Sequence, residues 1–117
     1  MDPRATTGAR GEALVADHLI GLGYVILARN ARVGRLEIDL IALRADVLVF
    51  CEVRTRTSDR LMDPIASLDR QKAQRVRRAA AAWLREHPQG TRQLRFDAAS
   101  VLLGEGEPKL TYYEHAF

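Results

Sequence analysis

The stretch LEIDLIALRADVLVFCEVRTR, residues 36–56, contains two runs of apolar residues on either side of a short polar turn. In the first run, residues 36–43, the side chains alternate in character, which is typical of a β-strand. The second run, Val47–Arg56, is rich in valine and predicts a second strand. If Ala45 and Asp46 form a two-residue turn, the two strands pair as an antiparallel hairpin of defined register.

The hairpin register brings two acidic residues together. It predicts that Asp39 lies directly opposite Glu52, with Glu37 opposite Arg54. Opposite residues have Cβ atoms roughly 4.5–5.5 Å apart, and two carboxylates at that separation repel each other. A hard divalent cation such as Mg²⁺ or Mn²⁺ would bind between them because it prefers oxygen ligands. The alternative is an exposed strand end at which acids and arginines form ordinary cross-strand pairs.

Glu12 and Arg54 are further candidates for the same site. A helix is predicted over residues 7–22, and Glu12 lies on its apolar side. The predicted inward stripe consists of Val15, Ala16, Leu19, Ile20 and Leu22. Glu12 could therefore approach the strand acids, while the alternative is a first-turn acid favoured by the helix dipole. Arg54 follows Glu52 by two residues, so it shares the face of Glu52 and offers a positive charge.

A second helix is predicted over residues 70–86, capped by Ser67 or Asp69. It carries a row of basic residues, in which Lys72 and Arg75 lie on one side and could hold phosphates. A solvated helix face is the alternative reading. The remaining predicted strands are residues 24–31, 94–103 and 110–113, so the element order is helix, three strands, helix, two strands.

The composition predicts one globular domain over residues 1–117, with 47% hydrophobic and 28% charged residues. The pI of about 9.5 and the net charge of +3 permit nucleic acid as a partner without requiring it. The single cysteine, Cys51, excludes an intramolecular disulfide and is expected to be a buried thiol. Neither a membrane-spanning run nor a signal peptide is evident, which predicts a cytoplasmic protein with no membrane partner.

Three stretches of the sequence resemble the YraN family of small bacterial proteins. They are GARGE at residues 8–12, EIDLIA at residues 37–42 and FCEVRTR at residues 50–56. The resemblance spans nearly the whole chain and extends to Asn30 and to the RFD stretch at residues 95–97. The family is similar to Holliday-junction resolvases. The resemblance therefore implies an α/β fold with a restriction-endonuclease-like, or PD-(D/E)xK, core, in which helices flank a mixed central β-sheet.

The resemblance also implies roles for individual residues. In such nucleases an acid on the first helix, an aspartate on one central strand and a Glu-x-Lys motif on the next build a metal site. Glu12, Asp39 and Glu52 match these positions, which implies that they bind Mg²⁺ or Mn²⁺. This chain departs from the family pattern at Arg54, which replaces lysine, and at Leu36, which replaces glycine. Arginine keeps the positive charge but is a poor proton acceptor.

These observations favour a metal-dependent endonuclease acting on DNA, with branched or damaged DNA as the expected substrate. In this hypothesis Glu12, Asp39, Glu52 and Arg54 are catalytic. The substrate backbone is held by Lys72, Arg75 and Arg56. A second hypothesis, favoured by Arg54, is a nucleic-acid-binding module of the same fold that has lost cleavage. A third is a protein-interaction domain. Because resolvases act as dimers, a homodimer is expected by analogy.

Overall fold

Five strands form one mixed sheet between two helices in the computed structural model, which describes residues 3–57 and 70–117. The elements are α1 (Pro3–Gly21), β1 (Val25–Val33), β2 (Leu36–Arg44), β3 (Val47–Arg56), α2 (Arg70–Glu86), β4 (Gln93–Leu102) and β5 (Lys109–Tyr113). The strands lie side by side in chain order; β3 and β4 are parallel and the other neighbours antiparallel. The expected mixed sheet with flanking helices is confirmed. The predicted α2 cap at Ser67 or Asp69 lies outside the described residues.

The central hairpin has the predicted turn and register at its closed end. Arg44 pairs with Val47, and the pairing continues without a shift to Leu40 opposite Cys51. Ala45 adopts a φ of 52° in the turn, a left-handed conformation that few residues other than glycine accept readily. The two-residue turn is therefore formed even without the glycine that such turns prefer.

Two separate apolar clusters cover the two faces of the sheet. On one face, α1 contributes Val15, Ala16 and Leu19 to a cluster with the odd-numbered residues of β3, such as Val49. On the other face, α2 contributes Ala79, Ala80 and Trp83 to a cluster with Leu48 and Phe50. Because neighbouring β3 residues enter different clusters, the molecule has three layers, with the sheet between the helices. The predicted burial of Cys51 is confirmed, and Trp83 is buried as well.

The predicted inward stripe of α1 is wrong at its last two members. Ile20 is 49% exposed and Leu22 is 50% exposed. Ile20 lies about 100° around the helix from Leu19, which points into the core. The helix ends at Gly21, and the chain turns away at Gly23, where φ is 96°. Leu22 therefore lies beyond the face that packs against the sheet.

The predicted alternation of β2 breaks at Asp39. Ile38 packs on the α2 side of the sheet, whereas Leu40 is buried on the α1 side, although strict alternation would put both on one face. On β1, Asn30 lies between the residues paired with Ile38 and Leu40 and has a φ of 50°. A left-handed residue rotates the strand out of its regular pleat. The sheet is therefore irregular at the position of Asp39.

Neither of the two helices in the described part of the chain is long and apolar enough to cross a membrane.

Candidate functional site

Asp39 lies where the two central strands separate. The β2–β3 pairing ends at Leu40 opposite Cys51, so the predicted ladder pairing of Asp39 with Glu52 is not part of the register. Instead, the Asp39 Oδ2 atom accepts a hydrogen bond from the backbone N–H of Val53 at 2.8 Å. The carboxylate takes the place of a backbone carbonyl as the acceptor. This bond holds the Asp39 side chain against the backbone of β3. Strand register alone does not predict such a contact between a side chain and the backbone.

Glu52 shares a hydrogen bond with Asp39 and is largely buried. Burial raises the pKa of the Glu52 carboxyl to about 9, with further contributions from the hydrogen bond and from the negative charge of Asp39. The positive charge of Arg54 partly opposes this rise. An ionised carboxylate only accepts hydrogen bonds, so a bond between two carboxyl groups requires a proton. The raised pKa of Glu52 therefore favours its protonated carboxyl at neutral pH.

Glu12 approaches this pair from α1. Partial burial, followed by the negative charge of Asp39, raises the pKa of Glu12, while a hydrogen bond with the Asn30 side chain opposes that rise. The charge effect indicates that Glu12 lies near Asp39. Even so, within residues 3–57 and 70–117 no three His, Cys, Asp or Glu side chains lie close enough to form a metal-binding group. The site is an acid pair with a third acid nearby.

The close contact between α1 and β3 at Gly11 explains the position of Glu12. A Cβ atom added to Gly11 would overlap the hydroxyl oxygen of Thr55. Only glycine allows the helix to come this close to the strand. Gly11 precedes Glu12 directly, so the close approach sets the distance from the Glu12 side chain to the open end of the hairpin.

The basic residues predicted on α2 share a cavity with Glu52, whereas Asp39 is not among the residues that line it. This cavity, which we call the α2 cavity, has a volume of about 270 Å³. Lys72 and Arg75 of α2 line it together with Glu52 and Arg54 of β3. The remaining lining residues are Arg35, Leu36, Glu37 and Val76. The cavity therefore brings Glu52 together with the two α2 bases that the sequence singled out.

Arg56 lines a different cavity, on the α1 side of β3. This α1 cavity has a volume of about 510 Å³ and is lined by Thr7, Gly8, Glu12, Val53, Arg54, Thr55, Arg56 and Thr57. Arg56 is thus separated from Lys72 and Arg75, with which it was grouped on sequence grounds. Arg54 lines both cavities. Its Nε atom is buried and has no hydrogen-bond partner among the described residues.

Two polar features received no role from the sequence patterns. Asn30 was noted only for its family resemblance, yet its side chain bonds Glu12 and its backbone is left-handed. An asparagine inside an apolar strand is the signal that could have identified it. The second feature is Asp97, which is fully buried on the face opposite Glu52. Asp97 accepts hydrogen bonds from the Arg95 guanidinium, the Tyr112 hydroxyl and the backbone N–H of His115.

The donor chemistry of the acid pair fits a hard divalent cation. Asp39 and Glu52 offer only oxygen ligands, which Mg²⁺ and Mn²⁺ prefer. Two acids that must retain a proton to coexist are also a place where a cation can replace that proton. Asp39 and Glu52 would hold the ion, and Glu12 is the nearby acid that could join them.

The fold and the site together define a three-layer α/β protein with a half-buried acid pair where two central strands separate. Residues 11–101 match the model of the Uncharacterised protein family UPF0102, and the chain belongs to that family. This membership agrees with the YraN-like motifs.

Relatives with the same family description occur in several bacteria. The chain is 43% identical over 120 residues to the UPF0102 protein of Sorangium cellulosum, covering 99% of this chain and 83% of the relative. It is 42% identical over 121 residues to that of Streptomyces coelicolor, covering 99% and 89%. It is 40% identical over 116 residues to that of Anaeromyxobacter dehalogenans, covering 99% and 87%. The family resemblance therefore extends along nearly the entire chain.

Proposed function

We propose that this protein is a metal-dependent endonuclease that hydrolyses phosphodiester bonds in DNA, with a restriction-endonuclease-like core related to that of Holliday-junction resolvases. The observation that carries the proposal is the position of Glu52, which shares a hydrogen bond with Asp39 and lines a cavity with Arg54, Lys72 and Arg75. Acids that could bind a cation and bases that could bind phosphate are the two components that phosphodiester hydrolysis needs.

Each residue of the site has a chemical role in this proposal. Asp39 and Glu52 hold Mg²⁺ or Mn²⁺, which when bound supplies Lewis-acid chemistry toward the phosphodiester. Arg54 places a permanent positive charge beside the phosphate and stabilises the charge that develops there. Lys72 and Arg75 hold the substrate backbone through its phosphates.

Glu12 is the group assigned to proton transfer. Arginine stays protonated at all ordinary pH values, so Arg54 cannot take a proton from the attacking water. Glu12 is partly buried, lines the α1 cavity beside Arg54 and has a raised pKa. A carboxylate with a raised pKa is a better proton acceptor near neutral pH than an ordinary one. This assignment gives the third acid a function that does not require it to touch the metal.

A cleavage assay tests the proposal. The purified protein is incubated with Mg²⁺ or Mn²⁺ and with single strands, flaps, four-way junctions and plain duplexes. We expect metal-dependent cleavage that falls at least 100-fold in Asp39→Asn and in Glu52→Gln. Glu107→Gln, at an exposed acid outside both cavities, is the matched control and should cleave normally. Cleavage that persists in both site variants would refute the assignment.

A binding module without cleavage is the alternative, and Arg54 is the observation that favours it. The Arg54→Lys variant distinguishes the two functions, because lysine can exchange a proton whereas arginine cannot. A gain of metal-dependent cleavage in Arg54→Lys indicates an enzyme weakened by the arginine. Equal nucleic-acid binding without cleavage in the wild type and in Arg54→Lys indicates the binding module.

A further inference from the structure

The two cavities lie on opposite faces of the sheet and meet at Arg54. Lys72 and Arg75 line the α2 cavity, and Glu12 lines the α1 cavity. The helices α1 and α2 cover opposite faces of the sheet through separate apolar clusters. Glu52 lines the first cavity and Glu12 the second. Glu52 and Glu12 therefore line two different cavities, one on each face of the sheet.

Both cavities suit a polyanion. Basic residues outnumber acidic ones in the lining of each, with Arg35, Arg54, Lys72 and Arg75 in the α2 cavity and Arg54 and Arg56 in the α1 cavity. Among the described residues that line the two cavities, none is aromatic. Stacking on aromatic rings is the usual way in which proteins hold unpaired bases. The contacts available here are to phosphates, which carry no sequence information.

Arg54 is the residue that lines both cavities. Its Nε atom is buried and lacks a hydrogen-bond partner among the described residues, while the side chain borders both cavities. A buried N–H without a partner is energetically unfavourable. A phosphate at the junction of the cavities would supply the missing acceptor.

A ligand that fills both cavities must change direction where they share Arg54, because the cavities lie on opposite faces of the sheet. Duplex DNA is stiff, with a persistence length of about 150 base pairs, and bending it sharply costs several kcal/mol. An unpaired strand bends freely at each nucleotide. We infer that the substrate is an unpaired segment of DNA strand that occupies the α2 and α1 cavities at once, with its central phosphate at Arg54. This inference rests on the proposed function only in taking DNA as the ligand.

Strand binding in EDTA tests the inference separately from cleavage. Fluorescence anisotropy at low salt compares a labelled 12-nucleotide oligothymidylate with a 12-base-pair duplex. Arg75→Glu adds a negative charge to the α2 cavity and Thr57→Glu adds one to the α1 cavity. Both residues are exposed, so these variants should fold, which circular dichroism checks. Arg85→Glu, at an exposed position on α2 that lines neither cavity, is the matched control.

We expect the strand to bind more tightly than the duplex. Arg75→Glu and Thr57→Glu should each weaken strand binding about 3- to 10-fold, and their effects should multiply in the double variant because the sites are distinct. Each should also lower the dependence of affinity on salt, by roughly 0.7 in the logarithmic slope for each phosphate contact that is lost. Arg85→Glu should have a much smaller effect.

Three results would overturn the inference: undetectable strand binding by the wild type, tighter binding of the duplex, or unchanged affinity in Thr57→Glu. The last result would mean that only the α2 cavity is used. These outcomes differ from a failure of the proposed enzyme. Strand binding through both cavities without any cleavage would leave the inference intact and remove the nuclease. Metal-dependent cleavage by a protein whose strand affinity is unchanged in Thr57→Glu would keep the nuclease and remove the inference.

Discussion

The proton shared by Asp39 and Glu52 connects the chemistry of the site with the stability of the fold. Two neighbouring carboxylates repel each other when both are ionised. Partial burial, and after it the hydrogen bond and the negative charge of Asp39, raise the pKa of Glu52. The hydrogen bond from Val53 to Asp39 holds the acids together despite this cost. This backbone hydrogen bond therefore keeps Asp39 close to Glu52, although two neighbouring acids are unfavourable when no cation is bound.

The first prediction concerns Glu52→Gln. Between the ordinary pKa of about 4.5 and the folded-state value of about 9, the folded state binds a proton that the unfolded state releases. Stability from this group is therefore complete at low pH and is lost as the pH rises toward 9. Glutamine removes the titration and can still hydrogen-bond Asp39.

In urea unfolding, we expect Glu52→Gln to exceed the wild type in stability by about 1–3 kcal/mol at pH 8 and to approach it near pH 4. Glu107→Gln at an exposed position is the control and should follow the wild-type curve. Parallel curves for Glu52→Gln and the wild type at all pH values would contradict the proton-sharing pair.

The second prediction concerns the metal. A cation that replaces the shared proton should stabilise the folded protein by about 2.7 kcal/mol when Mn²⁺ is at 100 times its dissociation constant. The melting temperature at pH 7.5 should rise accordingly with Mn²⁺ in the wild type. Asp39→Asn should abolish the rise, whereas Glu107→Gln should retain it. An equal rise in Asp39→Asn would show that the ion binds elsewhere.

At the level of single elements, the position of α1 depends on the lack of a side chain at Gly11. Alanine there would overlap Thr55, so the helix must move away from β3 and carry Glu12 with it. The third prediction is that Gly11→Ala destabilises the protein by about 1–3 kcal/mol, the usual cost of overpacking.

Gly8 offers a matched control within the same helix. An alanine Cβ at Gly8 has open space around it, so Gly8→Ala should be neutral or stabilising by up to about 1 kcal/mol. Thr55→Gly should partly restore the stability of Gly11→Ala by removing the overlapping atoms. Equal unfolding free energies for Gly8→Ala and Gly11→Ala would show that the helix does not pack as closely as described.

At the level of the whole molecule, Asp97 joins segments that are distant in the chain. Its carboxylate accepts bonds from Arg95 at 2.9 and 3.0 Å and from the Tyr112 hydroxyl at 2.6 Å. Arg95 in turn donates to the Tyr24 hydroxyl at 2.7 Å. The chain after α1, the strand β4 and the edge strand β5 are thus connected through one buried ion pair.

The fourth prediction is that Asp97→Ala destabilises the protein by about 3–5 kcal/mol, because it leaves the buried Arg95 charge with only the exposed Glu114 carboxylate nearby. Asp97→Asn, which keeps the shape, should cost less. Arg32→Ala breaks an exposed ion pair with Glu37 and should cost under about 1 kcal/mol. Urea unfolding measures all three, and a loss below 1 kcal/mol in Asp97→Ala would exclude a central role for this network.

Much of the architecture follows from local sequence patterns. The helix α2 and the strand β3 begin and end where apolar periodicity predicts, since each period is a property of a few neighbouring residues. The hairpin register from Arg44 to Leu40 is also predictable, because a two-residue turn leaves one way to pair the strands. The family motifs add the membership in UPF0102 that the family model confirms.

The sequence by itself determined the order of elements, the hairpin and the identity of the acids and bases near its open end. The tertiary structure decided how those groups meet: Asp39 bonds the backbone of Val53, Arg56 faces a different cavity from Lys72, and α1 ends its packing before Ile20. The physical reason is that periodicity specifies which face a side chain takes within one element. The separation of two strands and the distance between a helix and a sheet depend on contacts between elements.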